Sequence, residues 1–179
     1  IMDVLKDRFN FDTNPEIAME CSPAYLELEH IDQLAEMGFN RLSLGIQDFN
    51  NEVLEIVNRD PSKFPVEELV ARMKQNGFKG VNLDLIYGLP GQTIENFKES
   101  IEKVIEISPD RLVTFSYAHV PWVKKAQTVL EKVGIPDAEE KLALLEMAYG
   151  LLTENGYLPI GMDHYAKPED ELFKALVTK

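Results

Sequence analysis

The sequence has 179 residues, of which 45% are hydrophobic and 27% charged, with a formal net charge of −13; this suits one soluble domain or a large part of one. The acidity is spread over the polar faces of predicted helices, and it argues against nonspecific nucleic-acid binding and against an anionic membrane surface, both of which need basic residues. No apolar run approaches the roughly 20 residues of a membrane span, Ile1-Met2-Asp3-Val4 has no signal-peptide character, and Cys21 is the only cysteine, so an intrachain disulfide is excluded and a cytoplasmic protein is expected.

Residues 1–9 read as a short helix, and residues 16–21 as an extended run. Leu26, Leu28, Ile31, Leu34, Ala35 and Met37 follow with helical periodicity that stops at Gly38. Residues 41–47 alternate into a second strand. Val66, Leu69, Val70 and Met73 recur at i, i+3, i+4 and i+7, and Gly77 ends that helix. Residues 81–88 form a third predicted strand, and Pro90-Gly91 after it mark a tight turn. Thr93 then has N-cap character, with Asn96 three residues on. Phe97, Ile101, Val104 and Ile105 share one face of the helix it opens. Residues 111–118 are a fourth strand, and 138–155 a last helix carrying Leu142, Leu145, Met147 and Leu152, closed by Gly156.

The order β, α, β, α, β, α, β, α predicts four adjacent parallel strands with helices on one outer side. Doubly wound sheets and barrels share this pattern. The absence of G-x-G-x-x-G after any strand weakens a dinucleotide-binding reading. Polar residues stand where the strands finish: Glu20, Gln47, Asp84 and the run Tyr117-Ala118-His119. In parallel α/β folds the carboxyl ends of strands form the active face. One such residue can serve only to satisfy a loop amide, but four at corresponding positions point to a shared site. The turn at residues 89–93 is either a plain βα connection or a place where ligand approaches bare backbone. Arg59, in the connection after the second strand, is either solvated or placed to grip a carboxylate.

The segments NRLSLGIQDF (40–49), NLDLIYGLPGQT (82–93) and PDRL (109–112) resemble the haem-pathway branch of the radical S-adenosylmethionine (SAM) enzymes. That branch holds the oxygen-independent coproporphyrinogen III oxidases and the related haem chaperones. FSYAHVP (115–121) and GMDHYA (161–166) look like the oxidases rather than the non-catalytic chaperones. The resemblance covers essentially the whole chain.

It implies an α/β fold, a partial (βα) barrel of the radical SAM type with parallel strands and outer helices. It also implies a [4Fe-4S] cluster and two SAM molecules at the strand ends. Glu20 would contact the cluster-bound SAM, and Gln47, Arg59, Asp84 and Ala118 the second. His119 and His164 fit a structural role slightly better than proton handling. The implied reaction converts two propionates of a porphyrinogen substrate to vinyl groups. A 5′-deoxyadenosyl radical takes a hydrogen atom from the propionate β-carbon, and loss of carbon dioxide and one electron completes each step. The hard chemistry belongs to the cofactors, and the parent enzyme also needs an electron donor.

The family's cluster sits on three cysteines in C-x-x-x-C-x-x-C, which this sequence lacks; Cys21 stands alone and no metal ligands are assigned. Residues 1–179 are therefore expected to be a fragment of one barrel domain, without the N-terminal cluster loop and the C-terminal domain. Such a fragment is expected to be inactive alone and to self-associate. Alternatives from other classes are a haem chaperone and a structural remnant.

Overall fold

The computed structural model describes residues 1–178. The elements in chain order are α1 (Met2–Arg8), β1 (Ala18–Cys21), α2 (Leu28–Met37), β2 (Arg41–Gln47), α3 (Asn51–Ile56), α4 (Val66–Gln75) and β3 (Gly80–Tyr87). There follow α5 (Ile94–Ile107), β4 (Arg111–Ser116), a 3-10 helix (Lys125–Lys132), α6 (Ala138–Glu154), β5 (Leu158–Gly161), β6 (His164–Ala166) and α7 (Glu171–Val177). The strands form one sheet in the order β1-β2-β3-β4-β6-β5. The first four pair in parallel, neighbour to neighbour, as the alternation predicts. The last two add an antiparallel hairpin against β4.

The alternation along each strand decides which face is covered. In β2, Leu42, Leu44 and Ile46 are buried, while Arg41, Ser43, Gly45 and Gln47 between them are only half-buried. In β3, Val81, Leu83, Leu85 and Tyr87 are buried, and Asn82, Asp84 and Ile86 half-buried. The buried set joins Ile31 and Leu34 of α2, Leu69 and Met73 of α4, Phe97 and Ile101 of α5, and Leu144 of α6 in one core. Each fully buried side chain of this size stabilises by about 1.5–3 kcal/mol. Helices thus cover one face of the sheet, and the opposite face stays open.

Local signals set the helix ends. Thr93 and Asn96 cap α5 reciprocally: the Thr93 hydroxyl accepts from the Asn96 N–H, and the Asn96 side chain accepts from the Thr93 N–H. Asp137 and Glu140 do the same for α6. Gly38 closes α2 in the left-handed conformation, with φ 98°.

Several expectations need correction. The first strand begins at Ala18, two residues after Glu16, and the second helix at Leu28 rather than Leu26. The fourth strand closes at Ser116, so Tyr117, Ala118 and His119 lie in the loop beyond it. Leu142 is exposed; the buried stripe of α6 is Leu144, Ala148 and Leu152, at i, i+4 spacing. Helix α3 and the hairpin β5–β6 were not predicted, because six, four and three residues are too few to display a period.

Candidate functional site

Parallel register lines up side chains across the open face. Glu20, Ser43, Asn82 and Arg111 form one row across β1 to β4, and Gly45, Asp84 and Val113 the next. Glu20, Gln47 and Asp84 line a cavity of about 750 Å³ on this face, together with Phe115 and His164. Asp84 is held from both sides. The Ser43 hydroxyl donates to its Oδ2 at 2.7 Å, and the Asn82 amide donates to its Oδ1 at 2.6 Å and to the Ser43 oxygen at 2.8 Å. All these partners are neutral. Asn82 Oδ1 is buried without a protein partner among the described residues.

A second cavity, of about 800 Å³, adjoins the carboxyl ends of β2, β3 and β4. Gln47, Arg59 and Ala118 line it among apolar neighbours that include Val57, Ile86, Leu89 and Val120. Arg59 follows Asn58, whose φ of 55° turns the chain sharply after α3, and its own N–H donates to the Leu54 carbonyl. Among the described residues no carboxylate pairs with Arg59 and no cation pairs with Glu20 or Asp84. The loop carrying Ala118 is fixed by Gln127, whose amide donates to the Ala118 carbonyl and whose oxygen accepts from the Val120 N–H. Lys141 of α6 donates to the Tyr117 carbonyl at 2.8 Å. Burial raises the pKa of the Tyr117 hydroxyl.

The wall between the cavities is the end of β2. The pairing of β2 with β3 shifts register between Gly45 and Gln47, and Gln47 has φ 69°. Left-handed backbone at a non-glycine residue costs about 1–3 kcal/mol and gathers at functional sites. Bulges of this kind re-aim a side chain. The next residue, Asp48, is 1% exposed. It accepts from Ser100 Oγ at 2.6 Å, Gln92 Nε2 at 2.6 Å and the Asn50 N–H at 2.9 Å.

The five residues singled out in the sequence therefore lie around two adjoining cavities: Glu20 and Asp84 on one, Arg59 and Ala118 on the other, and Gln47 on both. His119 sits apart from them, with Nε2 3.0 Å from Glu131 Oε1. His164 faces Phe115 edge-on, with ring centroids 6.2 Å apart. Sequence reasoning missed Ser43, Asn82, Asp48, Gln92 and Ser100. The signal for Ser43 and Asn82 was present, since each is polar at a position whose strand neighbours are buried aliphatics. Asp48 and Ser100 carry no such signal, being 52 residues apart and joined only by folding.

The family model for the radical SAM superfamily matches residues 2–104. The chain is 42% identical over 172 residues to the oxygen-independent coproporphyrinogen III oxidase of Synechocystis sp., covering 96% of this chain and 37% of that protein. It is 43% identical, again over 172 residues, to the protein of the same name from Escherichia coli, covering 38% of it. The solved structure of coproporphyrinogen III oxidase (HemN) from Escherichia coli, described as a radical SAM enzyme, superposes with a TM-score of 0.92 at 43% identity, over 97% of this chain and 40% of that one. An archaeal Elp3 from Methanocaldococcus infernus shares the fold, with a TM-score of 0.60 at 23% identity. The chain thus spans less than half the length of these oxidases.

Proposed function

We propose that this chain, which belongs to the radical SAM superfamily, forms the SAM-binding wall of an oxygen-independent coproporphyrinogen III oxidase of haem biosynthesis. The reaction of the whole protein would be the oxidative decarboxylation of coproporphyrinogen III to protoporphyrinogen IX. The similarity to the oxidases, 42–44% identity over 96% of the chain, supports this reading.

The observation that carries it is the unneutralised charge around the two cavities. Arg59 has no carboxylate partner, and Glu20 and Asp84 have no cation partner, among the described residues. SAM carries a carboxylate, an ammonium, a sulfonium and a ribose beside an apolar-edged adenine. The donor set fits two such molecules: Glu20 beside the cationic centres of the first, and for the second Arg59 for the carboxylate, Asp84 for the ammonium or ribose hydroxyls, and Val57, Ile86 and Leu89 as apolar walls. SAM supplies the hydrogen-abstracting radical chemistry of the family when bound. Gln47, Asp84 and Arg59 would orient the second SAM.

A [4Fe-4S] cluster does not fit this chain alone. Clusters of that type take thiolate ligands, the sequence has one cysteine, and no group of three possible ligands converges among the described residues. Its ligands would come from elsewhere in a longer protein.

The test is equilibrium binding of SAM to the full-length, cluster-reconstituted enzyme. Arg59→Ala and Asp84→Ala each remove a charge-assisted contact worth about 1.5–3 kcal/mol. Roughly ten- to hundredfold weaker binding of one SAM is expected, with iron and sulfide content unchanged. Unaltered affinity and turnover in both variants would refute the assignment.

A further inference from the structure

Gln47 lines both cavities with a left-handed backbone. A glutamine stays in that conformation only where its surroundings over-determine it. Two neighbours do so. Asp48, immediately after it, is 1% exposed and takes three hydrogen bonds, from Ser100 Oγ, Gln92 Nε2 and the Asn50 N–H. Gln92 in turn donates to the Ile86 carbonyl at 2.8 Å and accepts from the Leu89 N–H at 3.0 Å. Asp48 therefore ties the end of β2 both to α5 and to the turn that follows β3. No Lys or Arg is among these partners, so the carboxylate is held by directed neutral donors, an arrangement that fixes geometry tightly when complete.

Gly45 contributes from the other side. A Cβ built on it would lie 2.8 Å from the Gln47 side-chain nitrogen. The Gln47 amide thus folds back over the bare backbone of Gly45, in space that any larger residue would fill.

We propose that Asp48 is a positioning residue: its buried carboxylate holds the turn that aims the Gln47 amide into the site, and Gly45 keeps clear the space that amide occupies. The inference rests on the reading of Gln47 as a SAM contact. It assigns Asp48, Gln92 and Ser100 no contact with ligand. Their effect passes through one side chain.

The experiment uses full-length enzyme, with SAM binding measured by equilibrium dialysis and crystal structures of the key variants. Gln47→Ala, Gly45→Ala and Asp48→Asn are each expected to weaken binding roughly three- to tenfold, the span of one neutral hydrogen bond. In the Gln47→Ala background, Gly45→Ala and Asp48→Asn should add nothing, since the side chain they position is gone. The Asp48→Asn structure should show Gln47 displaced from its left-handed turn. Gly45→Ala leaves the fold intact, because the atom its Cβ meets is the free end of a flexible chain. Should Asp48→Asn fail to fold, Ser100→Ala removes one of its donors and is read the same way. If Gln47→Ala weakens binding while Gly45→Ala and Asp48→Asn do not, or if Asp48→Asn costs as much with Gln47 already removed, the positioning role is wrong and the reading of Gln47 stands. If Gln47→Ala itself binds SAM like the unaltered enzyme, the reading of Gln47 fails, and the inference with it.

Discussion

Asp84 has its two carboxylate oxygens held by different residues, Ser43 on one and Asn82 on the other. The register of two parallel strands brings these groups together, because Ser43 stands opposite Asn82 and Gly45 opposite Asp84. The space over that glycine is taken by the Gln47 amide. Ser43 is therefore expected to matter for ligand binding although it contributes no charge. Removing its hydroxyl frees one oxygen of Asp84 and loses about 0.5–1.5 kcal/mol of orientation. Ser43→Ala in full-length enzyme should bind SAM roughly two- to tenfold more weakly, with thermal stability little changed. A fall in stability with unchanged affinity would make the Ser43–Asp84 bond a matter of folding only.

Among the elements, the late hairpin shows how far local sequence falls short. Strand β5 pairs with β6 and β6 with β4, and Tyr157 precedes the hairpin. Tyr157 is 2% exposed, and its hydroxyl donates to the Pro109 carbonyl at 2.8 Å, tying the end of α6 to the loop that begins β4. Burial pushes its pKa well above the ordinary tyrosine value, and burial raises that of Tyr165 on β6 as well. The sign of the pH effect follows. The neutral phenols favour the folded state fully below the unfolded pKa of about 10. Above it the unfolded chain releases protons that the folded chain retains, so stability falls as pH rises toward the folded pKa. Urea midpoints should hold level up to about pH 9.5 and drop beyond pH 10. Tyr157→Phe should lower the neutral-pH stability by about 1–3 kcal/mol, since the Pro109 carbonyl loses its donor, and should flatten the alkaline fall. Equal alkaline slopes in the two proteins would show that Tyr157 is not its source.

At the scale of the whole molecule, the sheet is covered on one side only. Among the described residues β1 pairs with β2 alone, and its Ala18, Met19 and Glu20 are exposed. Phe115, on β4, and Met19 are 43% and 38% exposed, and both line the cavity of the open face. A free strand edge beside exposed apolar side chains favours pairing with a second copy. The net charge of −13 opposes this, but charge repulsion acts over a Debye length of about 8 Å at physiological salt and is screened as salt rises. The chain on its own is expected to self-associate, more strongly at high salt. Sedimentation at low and high salt checks this: a monomer at high protein concentration in both would contradict it.

The sequence alone determined the parallel order of the first four strands, the faces that α4 and α5 bury and the ends of several helices. These follow from periodicity and from signals such as the Thr93 cap with Asn96 and the helix-ending Gly38, which act within a few residues of one another. It also marked Glu20 and Gln47 near their strand ends, Asp84, which the structure places inside β3, and, through family resemblance, the chemistry they would serve. Tertiary structure alone decided that Gln47 stands on both cavities, that Asp84 is gripped by Ser43 and Asn82, and that Asp48 reaches Gln92 and Ser100. The hairpin against β4 was likewise settled only there. The reason is physical: alternation and capping are short-range and repeat along the chain, whereas a hydrogen bond between residues 48 and 100 leaves no period. It exists only once the strand register and the helix packing have brought the two together.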